Sequence, residues 1–424
     1  MAARLLSLGM LLGILAIMTP AQSYAQITRD VTEPRVTTGL EVFLSTPEHI
    51  EMVKGKNVGI IVNATSVDRH LKSTIDLFNE HPDINVKRLF APEHGVRGEA
   101  YAGEYVPSYV DEKTGLEVQS LYGRTRRAPA ESLEDIDIMF YDIQDVGSRS
   151  YTYIYTMAYT MEECGKRGIP FVVLDRPNPC GADIVSGNIL DPEEHQTFVG
   201  LYAIPYQYGM TPGETARLFN KEFNDPEVEL TVIAMEGYER DMMQWDTGLP
   251  FVPTSTHIPD AKHAVYYNLT GIIGELRDHV SIGVGYTLPF ETIAAPWIDD
   301  PDELAEEIRK LEIPGLLVRP IMYRPAYASF QGEMIGGVHF IISDYRAIMP
   351  FEAQIHFMEV LQRMYPEVEL FSDAKAGPFL FDQVLGTDSI REQILEGVSA
   401  EEIIAGYQDD VAEFMEIREK YLMY

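Results

Sequence analysis

Cysteine is scarce in this sequence. The 424 residues include two, Cys164 and Cys180. An exported domain held together mainly by disulfides carries many more, so the chain is not a disulfide scaffold. The two thiols could pair in an oxidising compartment or stay unpaired in the interior. With 46% hydrophobic residues the chain can build large cores, and its length predicts two or three domains.

Positive charge is also scarce. Lysine and arginine number 33 against 66 aspartates and glutamates, which gives a formal net charge of −33. Such a field repels polyanions, so we expect neither nucleic acid nor an anionic membrane as a partner. The acidity favours solubility and does not identify a substrate.

Long hydrophobic runs are missing after the first 25 residues. Arg4 precedes the apolar run Leu5–Met18, and Ser23-Tyr24-Ala25 ends in a small-residue cleavage pattern. This pattern predicts a signal peptide over residues 1–25 and an exported protein, periplasmic or secreted, with no membrane insertion after cleavage. Residues 26–38 are polar and are predicted to form an N-terminal tail.

Several catalytic signatures are absent as well. The sequence has no G-x-G-x-x-G after a strand, no G-x-x-x-x-G-K-[ST], no H-E-x-x-H and no G-x-S-x-G. These absences argue against a dinucleotide cofactor, a nucleotide phosphate site, a zinc protease site and a nucleophile elbow. The ten histidines show no metal-ligand spacing. We therefore expect no cofactor and no metal.

What the sequence does contain is an alternation of short apolar strands and helices. The predicted strands are Asn57–Asn63, Val86–Phe90, Ile136–Tyr141 and Pro170–Leu174, and the predicted helices between or beside them are Gly39–Glu51, Ser73–Glu80 and Ser150–Arg167. Strands that are nearly all apolar and alternate with helices indicate βαβ units, hence a parallel sheet covered on both faces. The predicted fold class is α/β, with a parallel-sheet domain over residues 39–235.

A second domain is predicted over residues 236–424, where proline, glycine and aromatic residues become more frequent. A helix over Thr211–Phe223 and a strand over Leu230–Met235 end the first domain. The later elements predicted are helices at Asp299–Leu311, Phe351–Met364 and 388–423, and strands at Leu316–Pro320 and Gly337–Ile342.

Three strands of the first domain end in charged residues. Glu93 and His94 follow the second strand, Asp142 and Asp145 the third, and Asp175 the fourth. Since parallel strands end at one edge of their sheet, this pattern favours a polar site over merely solvated loops. Arginine, tyrosine and asparagine occur in the same loops, namely Arg149, Arg176, Tyr151, Tyr153 and Asn178. Together they suit an acidic sugar, and a phosphate less well because no glycine-rich loop is present.

Four strings carry a resemblance to a known family. FAPEHGVRGE, LYGRTRR, YDIQDVGSRSYTYIYTM and VLDRPNP resemble the exo-β-N-acetylmuramidases, an exported bacterial family formerly of unknown function. The resemblance extends from about Gly39 to Tyr424. It implies a Rossmann-like N-terminal domain, a smaller C-terminal α/β (α+β) domain, and a cleft between them that holds the sugar. The implied activity is removal of N-acetylmuramic acid from the non-reducing ends of peptidoglycan fragments of the MurNAc-GlcNAc type.

For hydrolysis, one carboxyl group must protonate the leaving oxygen and a second group must assist water or attack carbon. Glu93 is the predicted acid, because partial burial in the Pro-Glu-His-Gly turn raises a carboxyl pKa, and His94 is predicted to orient it or the substrate. Asp142 or Asp145 is predicted for the second role, although Asp145 fits a helix cap nearly as well. Substrate-assisted catalysis through the acetamido group would need one carboxylate fewer.

Substrate binding is predicted for a further set of side chains. Arg149 and Arg176 are expected to bind the lactyl carboxylate and Asn178 the acetamido group. Tyr151 and Glu291 are held in reserve for the second catalytic role. The full predicted binding set is Asn63, Arg149, Tyr151, Arg176, Asn178 and Glu291.

The sequence departs from the family pattern at three places. Tyr208 stands where the family usually has a histidine, and Val284 where it usually has an arginine. The segment Gly274–Asp278 also differs from the usual family sequence. The alternative function is therefore a paralogue that cleaves a different amino sugar, or one that binds cell-wall fragments without cleaving them.

Overall fold

The computed structural model describes residues 35–98, 100, 103–105, 107–123, 125–372 and 379–424. The predicted signal peptide and most of the predicted tail lie outside the described residues.

The first domain is built on a seven-stranded sheet with the order β3-β4-β2-β1-β5-β6-β9. All neighbouring pairs are parallel except β3 with β4. The sheet strands are β1 (Asn57–Val62), β2 (Asn85–Ala91), β3 (Tyr109–Val110), β4 (Glu117–Ser120), β5 (Ile138–Asp142), β6 (Phe171–Leu174) and β9 (Leu230–Ile233), and a separate antiparallel pair is formed by β7 (Ser186–Ile189) and β8 (Pro205–Gln207). The predicted Rossmann-like parallel sheet is confirmed.

Helices cover both faces of this sheet. They are α1 (Gly39–Ser45), α2 (Pro47–Glu51), α3 (Thr74–Glu80), α4 (Ala130–Leu133), α5 (Tyr153–Gly165) and α6 (Pro212–Glu222). The predicted helix over Gly39–Glu51 is interrupted, because Thr46 precedes a proline and adopts extended backbone. Along β1, Ile60 and Val62 pack into one hydrophobic layer and Ile61 into the layer on the other face.

The second domain has a smaller, antiparallel sheet with the order β10-β12-β11. The helix α7 (Gln244–Thr247) precedes it and bonds to the first domain, since the Thr247 carbonyl accepts from the Arg35 and Val36 N–H groups. The strands of the second domain are β10 (Thr292–Ala295), β11 (Leu316–Tyr323) and β12 (Ile335–Ile342), and its helices are α8 (Ala261–Thr270), α9 (Pro301–Arg309), α10 (Pro350–Met364), α11 (Leu380–Leu385), α12 (Ser389–Glu396), α13 (Ala400–Gly406) and α14 (Gln408–Arg418). The stretch predicted as helical from 388 to 423 thus contains several helices. Gly397, at a φ of 80°, ends α12.

The end of the chain returns to the first domain. The Tyr424 hydroxyl donates to Asp175 Oδ2 at 2.7 Å, and Arg418 Nε donates to the Gly209 carbonyl at 3.0 Å. Cys164 and Cys180 are both buried as free thiols. Among the described helices, none has the length and apolar character needed to cross a membrane.

Candidate active site

A cleft of about 1000 Å³ lies between the two domains. The first domain contributes the turn after β2, the loop after β4 and residues 150–153 at the start of α5. The second domain contributes the end of α8, the loop leading into β10 and residues 328–333 between β11 and β12. Two domains therefore enclose one space, as expected for a site that holds a sugar.

Glu93, the predicted acid, opens into this cleft. Its side chain is half-buried and held on both oxygens: the Gly103 N–H donates to Oε1 at 2.8 Å and the Thr152 hydroxyl to Oε2 at 3.0 Å. Burial raises the pKa of Tyr122 to about 12, and the charge and hydrogen bond of Glu93 add to that rise. The carboxyl group is thus fixed in direction at the cleft wall.

His94 lines the cleft beside it with a strained backbone. Its φ is 72°, a left-handed conformation that is uncommon outside glycine, and Gly95 continues the turn at 79°. His94 Nδ1 lies 2.8 Å from the Ala100 carbonyl oxygen. Because a carbonyl can only accept, Nδ1 carries the hydrogen, which leaves Nε2 of the neutral ring as an acceptor. The turn therefore orients both the carboxyl group and the imidazole.

Aromatic rings form one wall of the cleft. The Tyr151 ring packs edge-on against Tyr267 with centroids 5.7 Å apart, and Tyr267 packs in the same way against Phe290 at 5.2 Å. The Tyr151 hydroxyl donates to Thr254 Oγ1 at 2.9 Å. Such a wall can contact the apolar face of a sugar ring. Tyr151 therefore lines the cleft, whereas Tyr155 belongs to the core.

Sequence reasoning missed the charged pair that the second domain places in the cleft. Glu275 ends a short 3₁₀ turn, and Arg277 donates to its carboxylate at 2.8 Å. Burial raises the pKa of Glu275, against the opposing effect of Arg277. The stretch Gly274–Asp278 stood out only as a departure from the family pattern, and nothing in its spacing indicated which side chains face the cleft.

Asp142 and Arg176 do not line the cleft. Asp142 is fully buried and bound to Arg176 through two nitrogens of the guanidinium group, one of them at 2.9 Å, while the Thr74 hydroxyl donates to it at 2.6 Å. Arg176 also donates to the Val67 carbonyl at 2.9 Å. The two charges therefore compensate each other. This position does not support the catalytic role predicted for Asp142 or the substrate-binding role predicted for Arg176.

Asp145 is likewise buried away from the cleft lining. It accepts a hydrogen bond from the Tyr208 hydroxyl and another from the Val146 N–H at 2.8 Å. Burial raises its pKa to about 7, and these two hydrogen bonds only reduce the rise. The departure at Tyr208 therefore touches a buried pair, not the cleft lining.

Arg149, predicted to bind the substrate carboxylate, is fully buried. Its guanidinium group donates to the carbonyls of Asn188 at 2.8 Å, Ile204 at 2.7 Å and Leu385. Burial lowers its pKa to about 10. The side chain connects the first domain to the end of α11, so its position indicates a structural role.

The two predicted asparagines also serve the fold. Asn63 Oδ1 accepts from the N–H and the hydroxyl of Thr65 at 2.9 and 2.6 Å. Asn178 donates to the Met210 carbonyl at 3.1 Å and accepts from the Cys180 N–H at 3.0 Å. Both side chains are buried outside the cleft lining, where they hold loops at the edge of the sheet.

Glu291 lies next to the cleft but does not line it. It sits between His263 Nε2 at 3.0 Å and His339 Nε2 at 3.1 Å. Burial alone would raise its pKa, but the two histidines outweigh that effect and lower it to about 2. The preceding residue, Phe290, lines the cleft at a φ of 65°. Glu291 thus anchors a strained residue of the aromatic wall.

Two groups of side chains in the described ranges have a spacing that could hold a metal ion. They are Glu194, His195 and Asp388, and His356, Glu359 and Glu401. Both lie outside the cleft lining, and each includes an exposed carboxylate, an arrangement that is common without an ion.

Comparison with known proteins places this architecture in a family. Residues 58–262 match the family described as Exo-beta-N-acetylmuramidase NamZ, N-terminal, and residues 265–424 match the corresponding C-terminal family. The chain is 43% identical over 392 residues to the peptidoglycan beta-N-acetylmuramidase NamZ of Bacillus subtilis, covering 92% of each protein.

Two solved structures of DUF1343 family proteins from Bacteroides fragilis share the fold. One has a TM-score of 0.86 at 38% identity and covers 93% of this chain and 100% of its own. The other has a TM-score of 0.72 at 28% identity, with 92% and 99% covered. Since the matches extend over both domains, the chain belongs to the exo-beta-N-acetylmuramidase NamZ family.

Proposed function

We infer that this chain is an exo-acting glycoside hydrolase that removes N-acetylmuramic acid from the non-reducing ends of peptidoglycan fragments of the MurNAc-GlcNAc type. Family membership supports the reaction class. The observation that carries the proposal is the position of Glu93, whose carboxyl group is held at the wall of a cleft between the two domains.

Glu93 is the acid of this mechanism. Cleavage requires a proton on the glycosidic oxygen as its bond to the anomeric carbon breaks. A water molecule attacks the anomeric carbon and supplies the hydroxyl group of the released sugar. The Thr152 hydroxyl and the Gly103 N–H fix the direction of the carboxyl group toward the leaving oxygen. His94 lies beside it with Nε2 as an acceptor, which suits it to orient a sugar hydroxyl.

Glu275 takes the second role, for which sequence reasoning proposed Asp142 or Asp145. It lines the same cleft from the second domain. Burial raises its pKa, and a carboxylate with a raised pKa is a stronger base near neutral pH. Glu275 therefore removes the proton from the attacking water, so one catalytic carboxyl group comes from each domain.

Arg277 supplies the cation for the lactyl carboxylate of N-acetylmuramic acid. Val284, where the family usually carries arginine, lines the cleft together with Arg277, so a positive charge remains on this wall. An arginine can pair with a carboxylate through two parallel hydrogen bonds. Tyr151 and Tyr267 pack against the ring of the same sugar.

The test is release of free N-acetylmuramic acid from the MurNAc-GlcNAc disaccharide. Glu93→Gln is expected to lower kcat by about 10³-fold, because the amide cannot donate the required proton. Disaccharide binding by the same variant, measured by titration calorimetry, is expected to stay close to wild type. Glu333→Gln is the matched control, since Glu333 is an exposed carboxylate that lines the same cleft.

Retained turnover in Glu93→Gln would refute the assignment of the acid. Binding by the wild-type protein with no release of sugar would favour the alternative function, a non-catalytic binder of cell-wall fragments.

Export to the periplasm or the medium is also proposed, on the basis of the pattern in residues 1–25. Mass spectrometry of the protein recovered from the extracytoplasmic fraction should give an N-terminus at Gln26. Deletion of Leu5–Met18 should leave the protein in the cytoplasm, and recovery of the deletion variant outside the cell would contradict the proposal.

A further inference from the structure

A second cavity adjoins the active-site cleft on the surface of the first domain. It has a volume of about 470 Å³ and is formed by Gly123, Thr125–Arg127, the side chain of Tyr159 and the loop 196–201. Arg126 and Phe198 line both this groove and the cleft, so the two spaces meet at these side chains. A ligand that fills the cleft can therefore extend into the groove.

Arg126 is the distinctive side chain of this groove. Its guanidinium carbon lies 4.1 Å from the centroid of the Phe198 ring and 5.4 Å from that of Tyr122. Within the described ranges it makes no salt bridge, although the chain carries 66 acidic residues. Its neighbour Arg127, in contrast, is paired with Glu162 and Glu163. Aromatic rings thus hold a cation in place while its charge remains available to an anion.

The turn that carries Arg126 is fixed by its neighbours. The Thr125 hydroxyl donates to the Arg127 carbonyl at 2.9 Å and accepts from the Arg127 N–H at 3.1 Å. The rings of Phe198 and Tyr159 stack 5.9 Å apart. Arginine and stacked aromatic rings together form a surface that suits a sugar bearing a carboxylate.

The groove begins on the side of the cleft where Glu93 lies, because Tyr122 contacts both Glu93 and Arg126. Glu93 protonates the leaving oxygen in the proposed function, so the leaving fragment starts on this side. The remaining sugars of that fragment then extend toward Arg126.

We propose that the groove is a binding site for an acidic sugar of the leaving glycan, with the carboxylate of a second N-acetylmuramic acid residue paired to Arg126. This inference rests on the proposed function and extends it, because it predicts that glycans longer than a disaccharide are the preferred substrates.

The experiment compares kcat/KM for three substrates: MurNAc-GlcNAc, the neutral extension MurNAc-GlcNAc-GlcNAc and the acidic extension MurNAc-GlcNAc-MurNAc. The wild-type protein should prefer the acidic trisaccharide over the neutral one by about tenfold, the effect expected of one charge-assisted contact. Arg126→Gln should abolish this preference. The matched control is Arg309→Gln on the surface of the second domain, which should retain it.

Equal kcat/KM for the two trisaccharides in the wild-type protein would overturn the proposal. A fourth substrate is the acidic trisaccharide with a stem peptide on its third sugar. A preference seen only with this substrate would also overturn the proposal, because the bound carboxylate would then belong to the peptide. If the proposed function itself is wrong, the wild-type protein will turn over none of the substrates, the disaccharide included. In that case, calorimetric titration with the acidic trisaccharide decides: equal affinity in wild type and Arg126→Gln would overturn the inference.

Discussion

Two strands of the first domain are followed or ended by carboxylates that differ in exposure and in partners. Glu93, after β2, opens into the cleft, and the donors that hold it among the described residues are neutral. Asp142, at the end of β5, is fully buried and bound to Arg176. Both strands lie between two neighbours in the sheet, so the difference arises after the strand: the chain after β2 turns away at His94 in a left-handed conformation.

The comparison shows that a charge at a strand end becomes a catalytic candidate only where the fold leaves it an open side. An enclosed carboxylate is stable only when a partner compensates for its lost hydration, and that partner then occupies its oxygens. The buried side chains should therefore determine stability and the cleft side chains turnover. The following predictions test that division.

The largest effect is expected from Arg149→Met. The variant removes the Arg149 hydrogen bond to the buried Asn188 carbonyl and one of the two donors to each of the Ile204 and Leu385 carbonyls. We expect a loss of about 4 kcal/mol in the free energy of unfolding, measured by urea titration.

The control for this prediction is Arg309→Met, because Arg309 is 45% exposed and should contribute less than about 1 kcal/mol. An Arg149→Met protein of normal stability but raised KM would support the substrate-binding role predicted from the sequence.

Asp142→Asn is expected to cost about 3 kcal/mol of unfolding free energy, because it leaves the Arg176 guanidinium group buried without its anion. The double variant with Arg176→Met should lose less than the sum of the two single losses, since the two side chains form one pair. Under conditions where Asp142→Asn remains folded, kcat should match wild type. A fall of about 10³-fold in kcat would instead identify Asp142 as the second catalytic carboxylate.

The third prediction concerns the pH dependence of stability, where the change per pH unit is smaller than either loss above. Burial raises the folded-state pKa of Asp145 to about 7, above its usual value of 3.8. The folded protein therefore retains this proton while the unfolded chain has lost it, so the contribution of Asp145 to stability decreases as pH rises from about 4 to about 7. The slope for one proton is at most about 1.4 kcal/mol per pH unit.

Urea titrations between pH 4.5 and pH 7.5 should show a shallower decrease for Asp145→Asn than for wild type. Asp299→Asn, at an exposed position, should leave the slope unchanged. The same slope in wild type and Asp145→Asn would contradict a raised pKa for this group.

Most of the fold of the first domain follows from local patterns. The runs of apolar residues at β1, β5 and β6 are short, bounded by turns and separated by helices, which predicts a parallel sheet. The site was predictable only in part. Glu93, His94 and Tyr151 line the cleft, but the buried positions of Arg149 and Arg176 depend on carbonyls and carboxylates contributed by distant segments. Glu275 and Arg277 lie in an irregular loop that has no periodic pattern.

By itself the sequence determined the α/β class, the parallel sheet and the strand end that carries Glu93 and His94, because each depends on hydrophobic periodicity and turn residues within a short stretch of chain. Its motifs also indicated the family, and with it the class of glycoside hydrolase to which the chain belongs. Only the tertiary structure decided which charged side chains face the cleft and which are paired in the interior. Burial and pairing depend on segments that are far apart in the chain, as with Asp175 and Tyr424.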